Sequence, residues 1–121
     1  MKRILLFTTL LLLVSSYVNA QTGTPSSKLT WDQQSSDLAT AQAFTYKYYP
    51  DSSVTGTTLV GVICTGTTAP FVCQSPFPAF TPGAHTLTLT ASNLAGESAK
   101  SLVISFTFVV IPSAPSNIRI Q

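Results

Sequence analysis

Alternating apolar and polar positions run through most of the chain beyond residue 27. In Lys28-Leu29-Thr30-Trp31, Leu29 and Trp31 share a face. From Ala43 to Tyr49, the side chains of Phe44, Tyr46 and Tyr48 fall on one face and those of Thr45, Lys47 and Tyr49 on the other. His85 to Ala91 is the cleanest case, with His85, Leu87, Leu89 and Ala91 set against Thr86, Thr88 and Thr90. Leu102 to Val110 sets Leu102, Ile104, Phe106, Phe108 and Val110 against Val103, Ser105, Thr107 and Val109. A period of two is that of a strand with one buried face. Thr57 to Cys64 is a β-branched run interrupted by Gly61, which marks a bulge or a close backbone approach. Phe71-Val72-Cys73 continues as a further strand, and Pro76 and Pro78 place the piece after it at a sheet edge.

The intervening segments carry turn chemistry. Pro50-Asp51-Ser52-Ser53, Thr65 to Pro70, Phe80-Thr81-Pro82-Gly83 and Asn93-Leu94-Ala95-Gly96 each supply the residues that turns demand. The polar stretch Asp32 to Thr40 reads as a loop. Gln21 to Ser27 is rich in Gly, Pro, Ser and Thr and reads as an extended lead-in or an edge strand. No segment beyond residue 20 shows a helical period. Short strands and turns alternating at roughly 8–12-residue spacing predict an all-β sandwich of about seven antiparallel strands.

The first twenty residues have a different character. Met1-Lys2-Arg3 precedes an apolar run from Ile4 to Val14, and Val18-Asn19-Ala20 offers small residues before a cut. That order is the order of a secretory signal peptide. The run is about half of the roughly 20 residues that a membrane-spanning helix needs, so a retained anchor is the weaker reading and no membrane span is expected after cleavage. The expected organisation is a leader over residues 1–20, a domain over 21–111, and a Pro/Ser-rich tail over 112–121. Secretion to the exterior or the cell surface follows, or to the periplasm in a Gram-negative cell. Once Lys2 and Arg3 leave with the leader, Lys28, Lys47, Lys100 and Arg119 balance Asp32, Asp37, Asp51 and Glu97. Four scattered cations make no positive field of the kind that nucleic acid requires.

In an exported chain, the two cysteines, Cys64 and Cys73, are expected to form a disulfide across a hairpin. A zinc site needs three or four ligands, and the chain has one histidine, His85. His85 is the only side chain able to serve as an imidazole base in a catalytic triad, but its place on the apolar face of a strand favours a structural role. The carboxylates lie in separate loops without the Asp-x-Asp spacing of a calcium loop. Convergence of Asp32, Asp37 and Asp51 on calcium stays the minor reading. No glycine-rich phosphate loop and no nucleophile elbow occurs. The sequence therefore calls for no enzyme activity, no cofactor and no metal.

Several of these segments, taken in order, resemble a fibronectin type III or related bacterial immunoglobulin-like domain. Leu29-Thr30-Trp31 resembles that family's second strand with its core tryptophan, and Phe44-Thr45-Tyr46-Lys47-Tyr48 its aromatic third strand. Phe80-Thr81-Pro82-Gly83 and Asn93-Leu94-Ala95-Gly96-Glu97-Ser98 resemble two of its turns. His85 sits close to the place where the family usually puts a tyrosine, and a Cys64–Cys73 pair is not a general family feature. No Arg-Gly-Asp is present. The tail from Ile111 to Ile120 resembles the opening of another such domain.

The resemblance implies a non-catalytic binding or spacer module that shows loops or a sheet edge to a protein or carbohydrate. The candidate surfaces are the Asp32–Thr40 loop, the Cys64–Cys73 hairpin and the Asn93–Ala99 turn. Tyr49, Phe71, Phe77 and Asn93 are the candidate contact residues. For Phe71, Phe77 and Phe80, the competing reading is that their rings close an end of the sandwich. One alternative is a structural subunit that assembles by strand addition, with Ile118 to Ile120 as donor strand and self-association through the tail. The other is a small secreted hydrolase built on His85.

Overall fold

The computed structural model describes residues 21–121, so the expected leader lies outside the described residues. Nine strands and one short helix follow in order: β1 (Gln21–Gly23), β2 (Lys28–Gln33), α1 (Leu38–Ala43), β3 (Thr45–Pro50), β4 (Thr57–Thr58), β5 (Ile63–Thr65), β6 (Phe71–Pro76), β7 (Gly83–Asn93), β8 (Gly96–Glu97) and β9 (Ile104–Phe108). They build two sheets. One runs β1-β9-β7-β3-β4, with β8 also paired to β7, and the other runs β2-β6-β5. The expectation of an all-β protein with two sheets holds. The number of strands is larger than expected, because two elements are dipeptides. The pairing is not wholly antiparallel either, since β1 runs parallel to β9.

The alternating patterns set the core. β7 lies between β3 and β9, so Tyr46 faces Ala91, Tyr48 faces Leu89 and Phe106 faces His85 on the inner side of the larger sheet. In the smaller sheet, Cys73 sits between Trp31 on β2 and Cys64 on β5. Leu29, Tyr46, Phe71, Cys73, Leu87, Phe106 and Phe108 are buried between the layers. The disulfide joins Cys64 directly to Cys73 across the β5–β6 ladder, as expected from the hairpin. β6 is the central strand of its sheet and not an edge. Pro76 is tolerated there because it is the strand's last residue, opposite Lys28.

Three departures from the period-two reading have local causes. The run Thr57–Cys64 is not one strand. β4 belongs to the larger sheet and β5 to the smaller, and the chain crosses between them through Gly61 at φ 68°. Similarly, the run Leu102–Val110 is a strand only over β9. Ser92 faces Glu97 but Leu87 faces Ile104, so five steps along β7 match seven on the returning chain. In that looped stretch, Ser98 and Ser101 donate their backbone N–H to Ala91 and Leu89 (2.8 Å each), and their hydroxyls accept the N–H of the same two residues (3.0 and 2.9 Å). The serine oxygens thus stand where carbonyls would in a regular ladder. Lastly, the polar Asp32–Thr40 stretch is not a plain loop. It lengthens β2 to Gln33 and then enters α1, capped by Asp37, whose carboxylate accepts the Thr40 N–H at 2.7 Å. Six residues are too few to display a helical period.

α1 is held by two contacts. The Tyr46 hydroxyl donates to the Ala41 carbonyl at 2.7 Å inside the core. On the outer side, the Gln42 amide donates to the Val62 carbonyl (2.8 Å) and accepts the Cys64 N–H (2.7 Å). One side chain thereby occupies the open edge of β5 much as a neighbouring strand would. Gln42→Ala is expected to lower stability by about 1–2 kcal/mol, since it leaves both groups to solvent. Urea midpoints of the two proteins check this; equal midpoints would show that water replaces the amide without loss.

Candidate functional site

Residues far apart in the chain meet at one end of the sandwich. β2 ends at Gln33 opposite Phe71, the first residue of β6. β3 begins at Thr45 opposite Ser92, close to the end of β7. The Gln33–Phe44 segment, the Cys64–Cys73 hairpin and the Asn93–Gly96 turn are therefore neighbours, and α1 packs against β5 and β6. All three surfaces singled out from the sequence are brought together here.

Phe44 stands at the centre. An open hollow of about 710 Å³ on one side is lined by Asp37, Thr40, Phe44, Asn93 and Leu94 among others. Another, of about 380 Å³, is lined by Gln33, Gln34, Phe44, Asn93 and Ser98 among others. Both are of the size of small-ligand sites. Phe44 is half-buried, with its ring edge-on to Tyr46 at 6.3 Å, so its exposed part is held in place from below. Asn93 fixes its turn by accepting the Ala95 N–H through Oδ1 at 2.8 Å, which leaves its NH2 group facing outward. Leu94 is fully exposed at the tip of the same turn.

Among the described residues, no lysine or arginine lines either hollow. The two carboxylates on their walls are already engaged. Asp37 caps α1, and the Thr40 hydrogen bonds hold its carboxyl below the usual range. Glu97 is likewise lowered, first by the Thr90 hydroxyl and then by the Tyr49 hydroxyl, with Lys47 and Lys100 adding attraction. The remaining rim consists of amides, hydroxyls, small alanines, Leu94 and the Phe44 ring. It can offer stacking and neutral hydrogen bonds in the manner of an adaptable binding surface.

Of the four candidate contact residues, only Asn93 belongs to this surface. Tyr49 does lie on the outer face of β3, but it is buried. Its hydroxyl donates to Glu97, Lys100 places its ammonium 4.3 Å from the ring centroid, and a Cβ on Gly56 would come within 2.6 Å of the ring. A tyrosine so covered has no face left for a ligand. Phe71 is also buried, against Gly66, at the loop end. Phe77 lies at the opposite end of β6. There it packs among Phe80, Phe106 and Phe108 with ring centroids 5.2 to 6.0 Å away. The aromatic, proline-rich stretch is therefore divided between the two ends, and its rings fill the core instead of forming one recognition patch. Gln34 and Leu94 lie in the Asp32–Thr40 and Asn93–Ala99 surfaces expected from the sequence, whereas Phe44 is the surface residue that pattern reading missed. Phe44 reads as ordinary strand core, and only the helix before it and the hairpin beside it show that half of its ring is left open.

The opposite end holds the one histidine. His85 Nδ1 lies 2.8 Å from the Asp51 carboxylate, and Nε2 lies 2.7 Å from the Thr81 carbonyl. The Asp51 carboxylate and the Thr81 carbonyl are both acceptors, so this setting favours a ring that carries protons on both nitrogens. Asp51 also accepts the Thr86 N–H, and its own N–H donates to the Thr86 carbonyl. These bonds fix a turn in which Asp51 and Ser52 have positive φ (49° and 61°). Both ring nitrogens are thus engaged in holding this turn. Asp51 and Asp37 lie at opposite ends of β3, which keeps them from sharing a calcium ion. Among the described residues, no three His, Cys, Asp or Glu side chains come together as metal ligands.

The hydrogen bond to Asp51 raises the His85 pKa above its ordinary 6.5, and the hydrogen bond from His85 lowers that of Asp51 below its ordinary 3.8. The His85 contribution is complete below 6.5 and is lost as pH rises through the raised value. The Asp51 contribution is complete above 3.8 and is lost as pH falls through the lowered value. Melting temperatures of the parent and His85→Gln should therefore differ most at about pH 4–6.5 and converge as pH rises through the raised His85 value. A gap independent of pH would show that packing, not charge, is what the ring supplies.

In comparisons with known proteins, no family model, no curated protein and no solved structure matches this chain.

Proposed function

We propose that this chain is an exported, non-catalytic binding or spacer module with an immunoglobulin/fibronectin type III-like fold, and that it meets a protein or carbohydrate partner through its loop end. The fold assignment is supported by strand order. With β2 as the second strand of such a domain, β3, β7 and β9 occupy the places of its third, sixth and seventh. β1 running parallel to β9 suits the immunoglobulin branch better than the fibronectin one.

The observation that carries the functional reading is the convergence of the Gln33–Phe44 segment and the Asn93–Ser98 turn on the two hollows flanking Phe44. Loops held by a rigid scaffold are where binding residues concentrate. The exported protein, immobilised and exposed to arrays of extracellular proteins and glycans, tests it. A variant combining Gln34→Ala, Asn93→Ala and Leu94→Ala should lose at least about tenfold in affinity for whatever the parent retains. Its melting temperature should stay within a few degrees of the parent's, because the three side chains are exposed. Undiminished binding by the variant would move the site elsewhere. Absence of any retained partner would leave the spacer role.

A further inference from the structure

β2 is an open edge. It pairs with β6 on one side, and among the described residues no strand, loop or side chain bonds to its backbone on the other. Edges of this length are normally covered or blocked. β5, the opposite edge of the same sheet, has Gln42 bonded across it, and β2 has no equivalent. Beside β2, between the two sheets, runs a narrow groove of about 160 Å³. Trp31, Tyr46, Leu89 and Ala91 make its apolar part, and Ser98 and Ser101 its far wall. Trp31 is partly exposed at the groove, with its ring tilted against Tyr46 at 5.0 Å. An apolar groove beside an unpaired strand describes the place of one missing strand.

The same chain carries a segment of matching character. Ile118 and Ile120 are exposed, at 88% and 101%, and pack on nothing in their own domain. They alternate with Arg119, so in an extended conformation both isoleucines share a face. Residues 109–121 contain no strand, and among the described residues their one hydrogen bond to the rest of the domain is the Val109 N–H donated to the Gly23 carbonyl. Charge agrees as well. Arg119 is the only charged residue of the tail, and Asp32, on the outer face of β2, is an exposed carboxylate without a salt bridge among the described residues.

We propose that residues Ile118–Ile120 of one copy add as a strand to β2 of a second copy. The isoleucines enter the groove beside Trp31, the backbone of the incoming strand pairs with the free side of β2, and Arg119 faces Asp32. This is strand addition, in which main-chain bonds supply affinity and alternate side chains supply specificity. Because the donor site and the acceptor site lie on different parts of one chain, the contact is head-to-tail and extends into a chain of copies unless a ring closes. The proposal does not depend on the loop end having a ligand.

Sedimentation of the exported protein over a range of concentrations tests it, with Trp31 fluorescence as a second readout, since Trp31 is the chain's one tryptophan. The expected result is concentration-dependent association accompanied by a blue shift of the emission. Ile118→Asp combined with Ile120→Asp should weaken both by at least about tenfold, and Asp32→Lys should weaken them in part. A synthetic peptide of residues 112–121 should compete with assembly and shift the emission of the tail variant. Unchanged association in the tail variant would overturn the proposal. So would a monomer whose tryptophan emission responds to the tail substitutions at every concentration, because the tail would then fill its own domain's groove.

Discussion

Phe106→Ala is expected to remove about 3–5 kcal/mol of stability, the range for truncating a buried aromatic ring. Phe106 sits on β9 opposite His85 and is 5% exposed. Its ring is edge-on to Phe77 at 5.2 Å and to Phe80 at 4.9 Å, and His85 lies 5.9 Å away. These residues come from β9, β7 and the connection between β6 and β7, so one ring ties the larger sheet to the chain that crosses from the smaller one, at the end remote from the loops. The surrounding groups cannot easily collapse into the space, because Phe77 and Phe80 are set by the prolines beside them and His85 by Asp51 and Thr81. Small domains are stable by only about 5–15 kcal/mol, so the variant should unfold at a much lower denaturant concentration with an unchanged slope. A loss below about 1 kcal/mol would mean that this end lies outside the cooperative core.

Removing the disulfide should have the next largest effect. Cys64→Ala with Cys73→Ala is expected to lose about 2–5 kcal/mol and to lower the melting temperature by roughly 10–20 °C. Two terms add. The cross-link closes a short loop, with a sequence separation of 9, and so limits the unfolded chain. The sulfurs are also core atoms. Cys73 is fully buried, and the Tyr46 hydroxyl lies 3.7 and 3.9 Å from the two Sγ atoms. The entropic part alone is about 2.7 kcal/mol for a loop of this size, within the expected range. Denaturation of the double variant beside the parent measures it. A difference under about 1 kcal/mol would show that the β5–β6 ladder holds its register without the bond. Because α1 rests on this hairpin through Gln42, the variant should also loosen the loop end, which amide exchange at Ala41 to Phe44 would register.

Much of the architecture is legible in the alternation of residues, because strand faces are a local property. Leu87, Phe106 and Tyr46 lie where period two puts them. What is not legible comes from contacts between distant residues. Tyr49 does point away from the core, as the pattern requires. It is nevertheless buried, because Glu97, 48 residues on, and Lys100 close over it. The crossing at Gly61 reads as a bulge in one strand, since a glycine in a β-branched run looks the same whether the chain bends within a sheet or changes sheets. α1 is invisible to periodicity, yet its capping signal, Asp37 followed by Thr40 and an alanine-rich stretch, is present in the sequence. Of the candidate site, the participating loops are legible and the central residue is not. Phe44 becomes a surface residue only when the hairpin after β7 is brought beside it.

The parallel pairing of β1 with β9 bears on how the domain would carry load. Gln21 lies beside Phe106 and Gly23 beside Phe108, so the first and last strands run side by side in the same direction. A pull applied between the two ends of the domain drags these strands past one another along their length. Their hydrogen bonds are then strained together, in shear, whereas an antiparallel pair opened from one end would yield one bond at a time. A module held in a line of others, or between a cell and a surface, would resist extension first at this short ladder, and its breaking force would be set by three paired residues on each strand.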